Sequence, residues 1–132
     1  VLVAARDLPD LAHEAIRWAI EHAEARPPVS ELAGALAMSR RAFLREMKAL
    51  NLVSARALLL WGRLIRASHL LERPSETVES VAFRLGYATG GALGKALKRH
   101  VGCSPTDLLK QGGLSWTLDV FRRQGLRARG EA

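Results

Sequence analysis

One short pattern occurs twice in the chain, and a duplicated unit limits the possible folds more than any other feature. Leu32-Ala33, three residues, then Ala37-Met38-Ser39 matches Val81-Ala82, three residues, then Gly86-Tyr87-Ala88, at an offset of 49. Past that turn the offset becomes 50: Phe43 pairs with Leu93, Arg45 with Lys95, Met47 with Leu97 and Lys48 with Lys98. The match runs on through Leu52 with Gly102, Ser54 with Ser104, Ala55 with Pro105 and Leu58 with Leu108. Each copy reads as a short helix, a tight turn and a second helix, the sequence shape of a helix-turn-helix. Small Ala33 and Ala82 let the two helices cross closely, and Gly86 supplies a positive φ in the turn without a Cβ penalty.

The rest of the sequence is also helical in pattern. Ala, Leu, Arg and Glu dominate, and no stretch alternates apolar and polar residues long enough for a sheet. An all-α fold of about seven to eight helices is expected. Asp7 caps a first helix from about Pro9 to Ala25, which Pro27-Pro28 stops. Ser30 caps a second over 31–36, Ser39 a third over 40–50, and Ser54 a long one to Leu71. A break at Pro74-Ser75 precedes helices over 78–85, 90–100 and from Pro105, with Gly86 and Gly102 as stops and Pro105 in a first turn. Gly112-Gly113 marks a hinge before an eighth helix over 115–124, with Trp116, Val120 and Phe121 as its apolar side, and the tail from Gly125 is expected to fray. The domains expected are residues 1–53, a first helix-turn-helix subdomain with an N-terminal helix; 54–73, a linker helix; 74–111, a second helix-turn-helix subdomain; and 112–132, a C-terminal helix and basic tail.

Charge is unevenly divided. The 132 residues carry +7, but residues 1–36 hold −3 and residues 37–132 hold +10. A basic C-terminal part points to a polyanionic partner, most often nucleic acid. An anionic membrane surface fits less well, because no segment pairs a Lys-rich face with an exposed aromatic one. No apolar run approaches a membrane span, and the opening lacks the charged-then-apolar pattern of a signal peptide. The first residue is Val1 rather than Met, which suggests a piece of a longer protein. The single cysteine, Cys103, excludes an internal disulfide and a C-x-x-C metal site. It reads as a small packed residue. His13, His22, His69 and His100 show no metal-ligand spacing, and no Gly-rich phosphate loop or catalytic constellation is present, so neither enzyme activity, metal nor cofactor is expected.

In the third helix Phe43 and Met47, four residues apart, face the core. Arg40, Arg41, Leu44, Arg45 and Lys48 then point outward, behind the Ser39 cap. A helix fits the major groove of B-DNA, where Arg binds guanine O6 and N7 with two hydrogen bonds. Basic residues at the edges contact phosphate. In the second unit the outward positions are Thr89, Gly90, Gly91, Gly94, Lys95 and Lys98. Its glycines offer nothing to a base edge, while Lys95, Lys98 and Arg99 grip phosphates. A linker of about 17 residues spans roughly 26 Å. Reading helices at its two ends would lie near 34 Å apart, about one duplex turn, and enter successive major grooves.

These residues resemble the DNA-binding domain of the AraC/XylS family of bacterial transcription regulators over about residues 28–110. The likeness rests on Leu32-Ala33, Met38-Ser39, Arg41, Phe43, Arg45, Met47-Lys48 and Ser54. It continues through Arg63-Leu64, Ala67 and Leu70-Leu71, then Val78, Val81-Ala82, Leu85-Gly86-Tyr87, Lys98-Arg99 and Gly102-Cys103-Ser104-Pro105. The resemblance implies two helix-turn-helix units joined by a helix, sequence-specific binding to double-stranded DNA, and activation or repression of transcription in the bacterial cytoplasm, at the nucleoid. RNA polymerase and an upstream sensory or dimerisation domain are the further partners it suggests. Leu52 and Ala55 stand where the family commonly has Gly and Pro, Leu93 and Leu97 where it has Phe, and Leu58 and Leu108 where it has Tyr. Most of these changes exchange one apolar core residue for another, so the fold is expected to persist. Gly90-Gly91-Ala92 replaces a more polar segment that usually helps contact DNA. The alternative function is a helical protein-interaction module of the same descent that has lost specific DNA reading.

Overall fold

The computed structural model describes residues 10–128, and among them every regular element is a helix. In chain order these are α1 (Asp10–Glu21), a 3-10 turn (Ala23–Ala25), α2 (Val29–Ala35), α3 (Arg40–Ala49) and α4 (Ala55–Leu71). They continue with α5 (Val78–Arg84), α6 (Gly90–Val101), α7 (Pro105–Gln111) and α8 (Leu114–Val120), which runs into a π-helical turn over Phe121–Gly125. The all-α expectation therefore holds. None of the described helices is long and apolar enough to cross a membrane.

The linker helix α4 is the axis of the molecule. Ser54 starts it by accepting the Ala57 N–H at 3.1 Å. Leu58, Leu64, Ala67 and Leu70 are completely buried, and Trp61, Ile65 and Leu71 nearly so. An amphipathic surface helix buries one stripe, whereas these positions go almost right round the cylinder. On one side α1 lays Ala12, Ala15 and Ala19 against it, all small and buried. At the crossing Gly62 meets Ala19 so closely that a Cβ on Gly62 would stand 2.7 Å from the Ala19 Cβ and 2.8 Å from its carbonyl carbon and oxygen.

The C-terminal segment covers another side of α4. The hydroxyls of Ser68 and Thr117, both fully buried, are hydrogen-bonded at 2.7 Å, and Ser68 also reaches the Leu64 carbonyl at 2.9 Å. The Glu72 carboxylate at the end of α4 accepts the Leu114 N–H at 2.6 Å, so it caps the first turn of α8. Trp61 packs on Phe121 with ring centroids 5.5 Å apart and meets the His100 ring edge-on at 6.1 Å.

The Asp7 cap lies outside the described residues. Three other expectations are corrected. The first helix ends at Glu21, not Ala25: a 3-10 turn follows and Arg26 closes it in the left-handed region at φ 52°. Ser30 does not cap α2. Pro28, extended at φ −76° and ψ 165°, is the N-cap residue, and its carbonyl accepts from Glu31 and Leu32, so the proline pair opens the next helix. The tail is docked rather than frayed as far as it is described. Leu126 is 1% exposed, its carbonyl accepts the Val53 N–H at 2.7 Å, and the Ala128 N–H donates to Asn51 at 3.1 Å. A leucine that fills a core site gains about 1.5–3 kcal/mol from burial, which together with the two backbone hydrogen bonds helps offset the freedom the segment loses.

The α1–α4 crossing yields a stability prediction. Gly62→Ala gains up to about 1 kcal/mol in helix propensity. Overpacking against Ala19 costs about 1–3 kcal/mol, and backbone atoms cannot step aside as a side-chain tip would. Net destabilisation is expected in urea unfolding, and Ala19→Gly in the same chain should restore only part of it.

Candidate nucleic-acid interface

The two repeated units close with the same backbone hydrogen bonds. In the first, Ala37 N–H donates to Gly34 at 3.0 Å and Met38 N–H to Ala33 at 2.9 Å. In the second, Gly86 N–H donates to Phe83 at 3.2 Å and Tyr87 N–H to Ala82 at 2.9 Å. Both are Schellman endings, which put the residue after the helix in the left-handed region. Gly86 takes that conformation at φ 86°, while the first unit forces a methyl-bearing residue, Ala37, into it at φ 60°.

The second helix of each unit starts on a hydroxyl cap. Ser39 accepts the Ala42 N–H and Thr89 accepts the Ala92 N–H, each at 3.0 Å. On α3, Phe43 and Met47 are buried, and Arg40, Arg41, Arg45 and Lys48 are exposed. Among the described residues none of these four cations is in an ion pair. Leu44, expected outward, is half-buried and packs on the core beside Met47, Leu52 and Val53. It does not stand out with the arginines.

On α6, Thr89, Gly91, Lys95, Lys98 and Arg99 are exposed as expected, and Gly90 is not. Gly90 is buried beneath Glu79 of α5, whose carboxylate accepts its N–H at 3.0 Å; a Cβ there would lie 2.5 Å from the other carboxylate oxygen. Gly94 is half-buried, with Pro105 about 3.7 Å from where its Cβ would be. Gly90 thus serves packing, and the basic side chains are left as the polar face of the helix.

Two groups of residues went unread in the sequence. Glu79 finishes the cap of α6. The second group ties one unit to the other: Glu24, in the 3-10 turn, bridges Arg66 of α4 at 3.2 Å and Arg84 of α5 at 3.7 Å. Arg84 is also held by Glu76 at 2.7 Å, and the Arg26 side chain lies over Gly86 in the turn of the second unit. Residue types alone carry no signal for the pairs that Glu24 makes, because its two arginine partners lie 42 and 60 residues away. Cys103 is 8% exposed. Burial first, then the charge of Asp107, pushes its thiol pKa up against a smaller opposing effect of Lys98, so it stays protonated at neutral pH.

A protein family described as a helix-turn-helix domain matches residues 32–111, more than half of the chain. The chain belongs to this family, the AraC-type helix-turn-helix proteins. It is 27% identical over 100 residues to the HTH-type transcriptional activator RhaS of Klebsiella pneumoniae (strain 342), covering 76% of this chain and 36% of RhaS. The chain therefore spans about a third of the length of that relative. Among solved structures it is similar to the DNA-binding domain of AdpA, a global transcriptional factor, in complex with a target DNA: 29% identity, TM-score 0.57, 88% of this chain and 97% of that one. A DNA-binding transcriptional dual regulator from Escherichia coli K-12 shares the fold at TM-score 0.67 and 18% identity, over 78% of this chain and 92% of that one.

The unequal turns make opposite predictions. Ala37→Gly should stabilise the protein by roughly 0.5–1 kcal/mol, since the strain relieved exceeds the entropy lost. Gly86→Ala should cost about 1–2 kcal/mol for the reverse reason. Urea midpoints of the two variants check both signs.

Proposed function

We propose that this chain is the DNA-binding part of a bacterial transcription regulator and binds double-stranded DNA sequence-specifically. The observation that carries the reading is the row of cations on α3, none in an ion pair among the described residues: Arg40, Arg41, Arg45 and Lys48 stand exposed on a helix fixed by its cap and by two buried anchors. Such a helix enters a major groove with its guanidiniums toward base edges. Arg41 and Arg45 are assigned to bases, Arg40 and Lys48 to the flanking backbone. In the second unit Lys95, Lys98 and Arg99 are assigned to phosphates, with Thr89 and Gly91 at the point of closest approach. Ser39 acts as the cap that orients the first turn. With α4 about 26 Å long, the two helices suit successive major grooves on one face of the duplex. The work is done at the nucleoid. Within a longer protein a sensory or dimerisation domain would control it, and RNA polymerase would receive its output.

A second reading has its own support. Unit two offers few base-reading groups, and Phe83 of α5 is 84% exposed. Both suit a helical protein-interaction module that has kept the fold and lost sequence discrimination.

Selection from random duplexes by gel shift separates the two. The regulator reading predicts an enriched motif. Arg41→Ala and Arg45→Ala should each lose about 1–3 kcal/mol of binding and relax the preference at one position. Lys98→Ala should weaken binding evenly across sequences and reduce the slope against log salt by about 1. Equal binding to all sequences would overturn the proposal.

A further inference from the structure

Where the starts of α2, α3 and α4 converge lies a cleft of about 680 Å³, within the size range of small-molecule sites. Arg56 and Arg63, seven residues apart and so on one face of α4, stand along one wall, and Arg40 of α3 stands on another. Among the described residues no acidic one lines the cleft, and none of the three guanidiniums is in an ion pair. Between them the floor is apolar, made by Pro27, Val29, Leu59 and Leu60.

We infer that this cleft binds a small organic anion, with a carboxylate or phosphate held by the arginines and an apolar body laid on the floor. Three like charges around one concavity repel each other until an anion enters. A guanidinium then offers paired N–H groups that match carboxylate and phosphate oxygens. The apolar floor decides between occupants. A phosphate group of the DNA backbone has the right charge but is itself too polar to cover Val29 and Leu60, which are only half-buried, whereas an aryl or alkyl anion satisfies both surfaces. The inference does not rest on DNA binding, although Arg40 belongs to both sets of residues.

The test is an NMR titration of the whole 132-residue chain without DNA, using phenyl phosphate and benzoate as charged probes and benzamide as a neutral one. Saturable shifts at the amides of Val29, Ser30, Ala57 and Leu60 are expected with the two anions and not with benzamide. Arg56→Gln and Arg63→Gln should each weaken phenyl phosphate on the order of tenfold, with the spectrum elsewhere unchanged. Absence of saturation, equal shifts with benzamide, or unchanged binding by both variants would overturn the inference. It is overturned too if neither anion binds and the variants instead lower affinity for random duplex with a smaller salt slope, because the arginines then serve the DNA backbone.

Discussion

Burial of the α4 helix on nearly every side is the constraint on which the rest of the structure depends. Leu58, Leu64 and Leu70 are sealed from water, and each such side chain contributes about 1.5–3 kcal/mol when taken from solvent into the core. The half-exposed ion pairs around Glu24 contribute at most about 1 kcal/mol each. Apolar packing therefore decides that the units stay together, and the charges refine how they sit. A central helix buried all round needs coverings from outside the repeat, and α1 and α8 are those coverings.

Much of this was legible in the sequence because it is written locally. The caps at Ser39 and Ser54 follow from residue type and position, and the structure has both. So do the two turns, because a repeat makes each copy a check on the other. Local signals also misled. Ser30 looks like a cap, but Pro28 already holds the extended conformation that a cap needs, so the helix starts earlier. A proline pair stops one helix and starts the next, and only the second role is used here, since α1 has ended by Glu21.

Errors at the site and the tail share one cause: contacts with residues outside the element being read, 11 positions away for Gly90 and 73 for Leu126. Gly90 was read as facing outward from its place on α6, yet Glu79 of the neighbouring helix covers it. Helical spacing points Leu44 outward, yet it is half-buried against the core. The tail was read from its charge. Leu126 outweighs the arginines around it because the apolar site near Val53 lies 73 residues back and takes a leucine. The exposed cations of α3 were recovered from spacing alone, since surface positions on a well-anchored helix follow from the anchors.

The pairing of residues 126–128 with residues 51–53 has a consequence for how the protein is divided. The two units descend from one pattern, yet neither is a self-contained part. The last described residues of the chain complete the edge of the first unit, and α8 lies on the helix that separates the copies. Cutting between the units would strip each of a wall supplied by the other half. Duplication has produced here an interlocked body whose modules can be counted but not taken apart.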